Sequence, residues 1–484
     1  MGKREHAPRN TRLTRARLTL SLVLALPLLP AGCASLLSGS DADGGGAWAT
    51  AGTAAQRAGT GGVMASGGHA PVNHTGLNAG GSSGFSEQAG MGEPDPGTAG
   101  LSEPDEGGAA GTAGATGNAT SGQWVLGYYV GYAIDQYPIA SIDWSSLTHI
   151  AFAPMVVNDD LSLDFSFDDS NGTGTADARA LAKAAHAHGV KALLMLGGAD
   201  AGANIAAAAK ANERAAFVRT LLDALTTLGY DGIDLDWEDS VDLDDFVALA
   251  QALRAVRPGI LLSYPAGAIN GNYQTVDPRL VTLAASLDRF NVQTYYPSTA
   301  YAGQGWSSWF SAPLSGSTSS TPVAIDDSLQ RYAEAGIAKS KLGMGVGFYA
   351  ICYTGGISGP RQATDGTLQR IVGGDNGYPL SLFFAAGGTF DQSAAGARLR
   401  DATAAEPYLS LPSAVNDANC GAATKYIAYE DETSLLAKGA FSRENGYGGI
   451  IIWTIQEGWL PSNAAGGRAR NALMQALKAG FIDP

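Results

Sequence analysis

Between Val125 and Trp453 the chain repeats one pattern: a short apolar run, then a longer stretch with apolar residues every three or four positions. Eight runs have strand length: 125–132, 148–155, 191–196, 232–237, 260–264, 289–295, 342–349 and 449–453. Nearly continuous apolar runs of this size suit strands covered on both faces. Helical spacing recurs over 175–188, 212–228, 243–256, 278–287, 328–339, 435–445 and 467–479. Strands alternating with helices predict an α/β fold with parallel strands, and eight repeats predict a (β/α)8 barrel. The pattern alone does not separate a closed barrel from an open, doubly wound sheet. Two connections are long. Residues 298–321 carry Trp306, Trp309 and Phe310 among Ser and Gly. Residues 350–424, about 75 positions between the seventh strand and its helix, are expected to form a lid or a small subdomain.

One run breaks the apolar rule. From Asp231 to Glu238 the chain alternates, with Ile233, Leu235 and Trp237 against Asp234, Asp236 and Glu238. Residues two apart on a strand face the same side, about 6.6 Å apart along the axis. Three carboxyl groups are therefore expected along one face, crowded enough to raise some of their pKa values, as a general acid near neutral pH requires. A calcium loop fits less well, because its sixth position is Asp239 rather than Gly and its twelfth is Asp245 rather than Glu. A solvated acidic turn before the helix near Leu243 is the other plain alternative.

The stretch Asp231-Gly-Ile-Asp-Leu-Asp-Trp-Glu238 resembles the DGxDxDWE signature of glycoside hydrolase family 18, the chitinases and their relatives. The resemblance implies a TIM barrel and substrate-assisted, retaining hydrolysis, in which the 2-acetamido oxygen of the sugar is the nucleophile. It implies Glu238 as the acid and then base, Asp236 as partner of the acetamido N–H, and Asp234 as sharing a proton with Asp236. Asn291-Val-Gln-Thr-Tyr295 resembles the sixth-strand motif, with Tyr295 on the acetamido carbonyl and Gln293 in the same site. Tyr296 stands where the pattern has Asp or Asn. Gly449-Ile-Ile-Ile-Trp453 resembles the last strand, whose Trp forms an apolar floor under the sugar, and Gly127-Tyr128 resembles the first. Met195-Leu-Gly-Gly198 keeps the third-strand glycines but has Met195 for Ser. Asp231 is grouped with Trp453, Gln293 and Tyr128 on the substrate side, although its place at the head of the motif suits a structural role. Trp306, Trp309, Phe310 and Tyr353 are candidates for a row of sugar-stacking rings. The substrate expected is chitin or another N-acetylglucosamine polymer. The alternatives are an endo-β-N-acetylglucosaminidase acting on N-glycans and a non-catalytic carbohydrate binder, which would typically have lost the Glu at position 238.

The N-terminal quarter carries different information. Six basic residues and the apolar run Leu18–Leu29 precede Pro30-Ala-Gly-Cys33. That order reads as an export signal over residues 1–32, with Cys33 lipidated despite Pro30. Residues 33–123, rich in Gly, Ala, Ser and Thr, read as a disordered tether ahead of a catalytic barrel over 124–484. Without residues 1–32 the chain has 24 basic against 44 acidic residues, a formal −20. Such a charge repels nucleic acid and anionic lipid but not a neutral polysaccharide. The protein is expected to be exported, held at a membrane by its lipid anchor or secreted, and monomeric. In an exported protein, Cys352 and Cys420 are expected to form a disulfide. His186-x-His188, two apart near a helix end, does not place both rings on one face. No metal and no cofactor are expected.

Overall fold

The computed structural model describes residues 122–297, 306–364, 378–392, 397–461 and 465–484. The leader, Cys33 and the tether up to residue 121 lie outside the described residues. Gln123, assigned to the tether, belongs to the barrel instead: it is buried, and its amide donates to Ser442 Oγ (2.6 Å) and the Tyr447 carbonyl (3.1 Å).

The eight apolar runs form the barrel: β1 (Trp124–Val130), β2 (His149–Val157), β4 (Lys191–Gly197), β5 (Gly232–Asp236), β6 (Leu261–Gly267), β7 (Arg289–Gln293), β8 (Leu342–Gly347) and β14 (Gly449–Trp453). Neighbours pair in parallel in that order, and β1 pairs with both β2 and β14, which closes the ring. A two-residue strand, β3 (Leu163–Asp164), adds a hairpin to β2. The helices are α1 (Gly174–Ala187), α2 (Gly202–Ala208), α3 (Arg214–Leu228), α4 (Leu243–Val256), α5 (Pro278–Ser286), α6 (Ile325–Glu334), α9 (Glu432–Asn445) and α10 (Ala472–Leu477). The sequence reading omits α2, an Ala-rich turn of helix without a marked apolar stripe. It also runs α6 on to Lys339, whereas the helix stops before Gly336, whose φ of +113° ends it.

Strand parity divides the core. Val125, Tyr129, Ile150, Phe152, Leu194, Ile233, Leu235 and Trp237 face outward and pack under the helices. Leu126, Tyr128, Ala151, Ala153, Leu193, Met195 and Ile451 fill the interior. Trp124 plugs the lower end, and it fits because Gly448 and Gly449 leave room; a β-carbon at either would land inside the Trp124 indole.

The long connection after β8 is an antiparallel subdomain. Its strands are β9 (Tyr349–Tyr353), β10 (Tyr378–Pro379), β11 (Arg398–Asp401), β12 (Glu406–Asp417) and β13 (Gly421–Ala428), in the order β10-β9-β13-β12-β11. Two short helices, α7 (Leu380–Phe383) and α8 (Thr389–Gln392), belong to the same stretch. Cys352 and Cys420 are disulfide-bonded, with Cα atoms 5.3 Å apart and 68 positions between them in sequence. One face of the sheet, with Tyr349, Ile351, Tyr353 and Tyr426, packs against Tyr295, Tyr296 and Trp453.

Candidate active site

Asp234 and Asp236 lie on the inward face of β5, beside Met195 and Gly197 of β4. Both are buried, and Glu238 is half-buried just past the strand end. The alternate residues point the other way, with Trp237 against Phe246 of α4 at 5.2 Å between ring centres. α4 starts where Asp242 accepts the backbone N–H groups of Asp244 and Asp245. The acids of β5 thus enter a barrel interior otherwise lined largely by apolar side chains, at the C-terminal ends of the strands where barrel sites form.

The partners of the three acids differ. Asp234 Oδ2 accepts from the Tyr128 hydroxyl at 2.8 Å, and its Oδ1 accepts from Ser263 Oγ on the adjacent β6. Burial pushes its carboxyl up to about 6, and the two hydroxyl donors oppose that rise. Asp236 is held well above the usual carboxylate range, first by burial and then by the charges of Glu238 and Asp234. Its hydrogen bond goes to Glu238, while its Oδ1 is buried with no hydrogen-bond partner. Gln293 at the end of β7 donates from Nε2 to Glu238 Oε1 at 2.7 Å. Crowding raises Asp236, as the spacing of the acids predicts, but it is not the largest cause. Burial comes first for both aspartates, and the hydrogen bond of Asp236 runs to Glu238 rather than to Asp234.

Aromatic side chains surround the cluster. Tyr128 lies 5.2 Å from Trp453, centre to centre, and Tyr295 stands edge-on to Tyr349 at 6.5 Å. Burial raises the Tyr128 and Tyr295 hydroxyls, and nearby acids raise both further, so both remain protonated donors. Trp453 is only partly covered and ends β14 at the mouth.

Two expectations fail on position. Asp231 is not a substrate-side residue. It precedes β5 at the opposite end of the barrel, where its carboxylate meets Lys191 Nζ (3.1 Å), His186 Nε2 (2.8 Å) and the Ala192 N–H (2.9 Å). His186 is thereby occupied, and His188 stacks on Trp144. Trp306, Trp309, Phe310 and Tyr353 are also not a row of sugar platforms: none is more than 3 % exposed. Trp309 and Phe310 form a core with Ala404, and the Tyr353 hydroxyl accepts from the Trp309 N–H at 3.0 Å.

Ser263 was missed by the sequence reading. Its only signal is a polar residue inside Leu261-Leu262-Ser263-Tyr264, and nothing local says that it faces Asp234. It gives Asp234 a hydroxyl partner, whereas Met195, the register partner of Asp234 on β4, has no hydroxyl to offer.

The family model for Glycosyl hydrolases family 18 matches residues 125–458. The chain is 24 % identical over 411 residues to a chitinase-like effector of Moniliophthora perniciosa, covering 75 % of this chain and 88 % of that one. It is 26 % identical over 280 residues to chitinase A1 of Niallia circulans, covering 51 % of this chain but only 38 % of the relative. Its fold is shared with the Ostrinia furnacalis Group IV chitinase solved in complex with allosamidin (TM-score 0.60, 20 % identity, 74 % of this chain and 98 % of that one). With its closed parallel barrel, the acids at the mouth and the family match over residues 125–458, the protein belongs to glycoside hydrolase family 18, as a chitinase-like member.

Proposed function

We propose that the protein hydrolyses β-1,4 bonds between N-acetylglucosamine units of chitin or its oligosaccharides, with the acetamido group of the substrate as nucleophile. The observation that carries this is Asp236: a buried carboxyl bonded to Glu238 on one side, with its other oxygen left without a partner. A carboxyl so placed can hold an acetamido N–H and oppose the positive charge of an oxazolinium ion. Glu238, at the mouth and fixed by Gln293, protonates the leaving oxygen and then takes a proton from water. Asp234, anchored by Ser263 and Tyr128, supports Asp236 from below. Tyr295 donates its hydroxyl to the acetamido carbonyl, and Trp453 offers an apolar face to the C–H groups of the pyranose.

The test is the anomer first released from a chitin oligosaccharide, read by NMR before mutarotation. Initial β product supports the assignment, whereas initial α product means inversion and ends it. Running the same enzyme on a high-mannose glycoprotein separates the endo-β-N-acetylglucosaminidase reading, because released N-glycan without chitin cleavage would replace the substrate proposed here.

A further inference from the structure

Three buried ionisable side chains take no part in this chemistry. Glu406 on β12, Glu430 after β13 and Lys438 on α9 are fully buried. Lys438 Nζ lies 2.6 Å from Glu430 Oε1 and 3.2 Å from Glu406 Oε1. Ser434 Oγ holds the other oxygen of Glu430. As a tether between elements, such a cluster is no better than apolar residues of equal volume, since each charge loses its hydration. What a carboxylate offers beyond them is two acceptors in defined directions.

Glu406 uses both. Its Oε2 accepts from the Ser311 N–H (2.9 Å) and Ser311 Oγ (3.3 Å), and its Oε1 accepts from the Ala312 N–H (2.7 Å). The Ser311 carbonyl in turn accepts from the Tyr296 N–H at 2.8 Å. Tyr296 has a φ of +58°, a conformation that residues with a β-carbon rarely adopt and that persists where surroundings impose it. It directly follows Tyr295. The segment between is clamped at Trp309 as well, whose N–H donates to the Tyr353 hydroxyl and whose carbonyl accepts from the Tyr426 hydroxyl at 2.8 Å.

We propose that Lys438, Glu406 and Glu430 are positioning residues for the reaction, setting the backbone turn at Tyr296 through Ser311 and thereby aiming the Tyr295 hydroxyl at the acid cluster. In assigning Tyr295 to the acetamido group, this rests on the function proposed above. It gives the subdomain after β8 a part in the chemistry without contact with substrate.

Glu406→Gln is the deciding variant. It keeps the volume and leaves Lys438 paired with Glu430, but its amide oxygen can replace only one of the two carboxylate oxygens that Ser311 and Ala312 address, and its NH2 group then faces the other N–H. On an N-acetylglucosamine tetramer, kcat should fall by about tenfold or more with KM changed by less than about twofold. In a Tyr295→Phe background the same substitution should cost less than about twofold, because its effect passes through that ring. An undiminished kcat, or an equal loss in both backgrounds, overturns the proposal. Native-state hydrogen exchange on the unaltered protein decides the matter should the variant not fold, or should the enzyme fail to cleave the tetramer and so refute the functional reading alone. The Tyr296, Ser311 and Ala312 amides should exchange together from one opening, and fast exchange at Tyr296 with the other two protected overturns the coupling.

Discussion

Asp234 and Asp236 sit two residues apart on one face of β5, yet their surroundings assign them different work. Two hydroxyl donors satisfy Asp234, while Asp236 keeps a bare oxygen and a bond to Glu238. The Asp234 pKa, raised from 3.8 to about 6, has a consequence for stability. The folded protein holds a proton there that the unfolded chain releases from about pH 4, so the contribution of this residue falls as pH rises to about 6. The fall is on the order of 3 kcal/mol. Asn does not titrate, so Asp234→Asn should gain stability relative to the unaltered protein across that window. Urea denaturation at several pH values checks it, and a constant difference would mean that Ser263 and Tyr128 fully offset burial. Glu238→Gln should abolish turnover while oligosaccharide binding, measured by calorimetry, stays within a few-fold, since an amide keeps the shape but cannot donate the proton. Residual turnover near that of the unaltered enzyme would remove Glu238 from the acid role.

At the scale of elements, the question is which aromatic segments serve substrate and which serve packing. Trp309 lies in the loop after β7, wholly enclosed, with its indole N–H on the Val323 carbonyl. Trp453 closes β14 and is partly open at the mouth. Trp309→Ala should therefore cost about 3–5 kcal/mol of stability. Trp453→Ala should raise KM on chitin oligosaccharides with a much smaller loss of stability. Thermal unfolding and kinetics on both variants check the contrast, and a reversed pattern would move the sugar platform to the β7 loop. The subdomain gives a second prediction. Replacing Cys352 and Cys420 together by Ser should cost roughly 4 kcal/mol in a chain-entropy account of so long a loop. Because the sheet backs Tyr295 and Trp453, activity should fall together with resistance of the subdomain to protease. Loss of resistance with full activity would show that the wall is not needed for catalysis.

The whole chain carries a formal −15, and the part after residue 32 is more acidic still. A neutral polysaccharide suits such a surface better than nucleic acid does. We propose that residues 1–32 direct export, that Cys33 carries a lipid, and that residues 33–122 tether the barrel to a membrane so that it can search an insoluble substrate. Cys33→Ala should release the protein from the membrane fraction without altering its kinetics on soluble oligosaccharides. Unchanged membrane association would dismiss the anchor.

Local pattern carried much of this reading. Nearly continuous apolar runs suit strands covered on both faces, and their alternation with helices follows from short-range periodicity, so the barrel strands were legible to within a few residues. The alternation in Asp231–Glu238 likewise showed that Asp234, Asp236 and Glu238 share a side. What it could not show is which end of the strand, and which partners, each residue would meet. Asp231 belongs to the same motif but lies at the other end of the barrel, and Ser263, distant in sequence, supplies a bond that β5 cannot make for itself. Trp306, Trp309 and Phe310 looked like platforms because an aromatic residue in a polar loop has no local mark of burial. Trp309 and Phe310 are covered by residues of β9, β13 and β12, and Trp306 joins the main core. Periodicity acts over a few residues, whereas burial, strand neighbours and the hold of Glu406 on the backbone beside Tyr295 depend on contacts made across 29 positions for Ser263 and 95 for Glu406, and only the closed tertiary structure decides those.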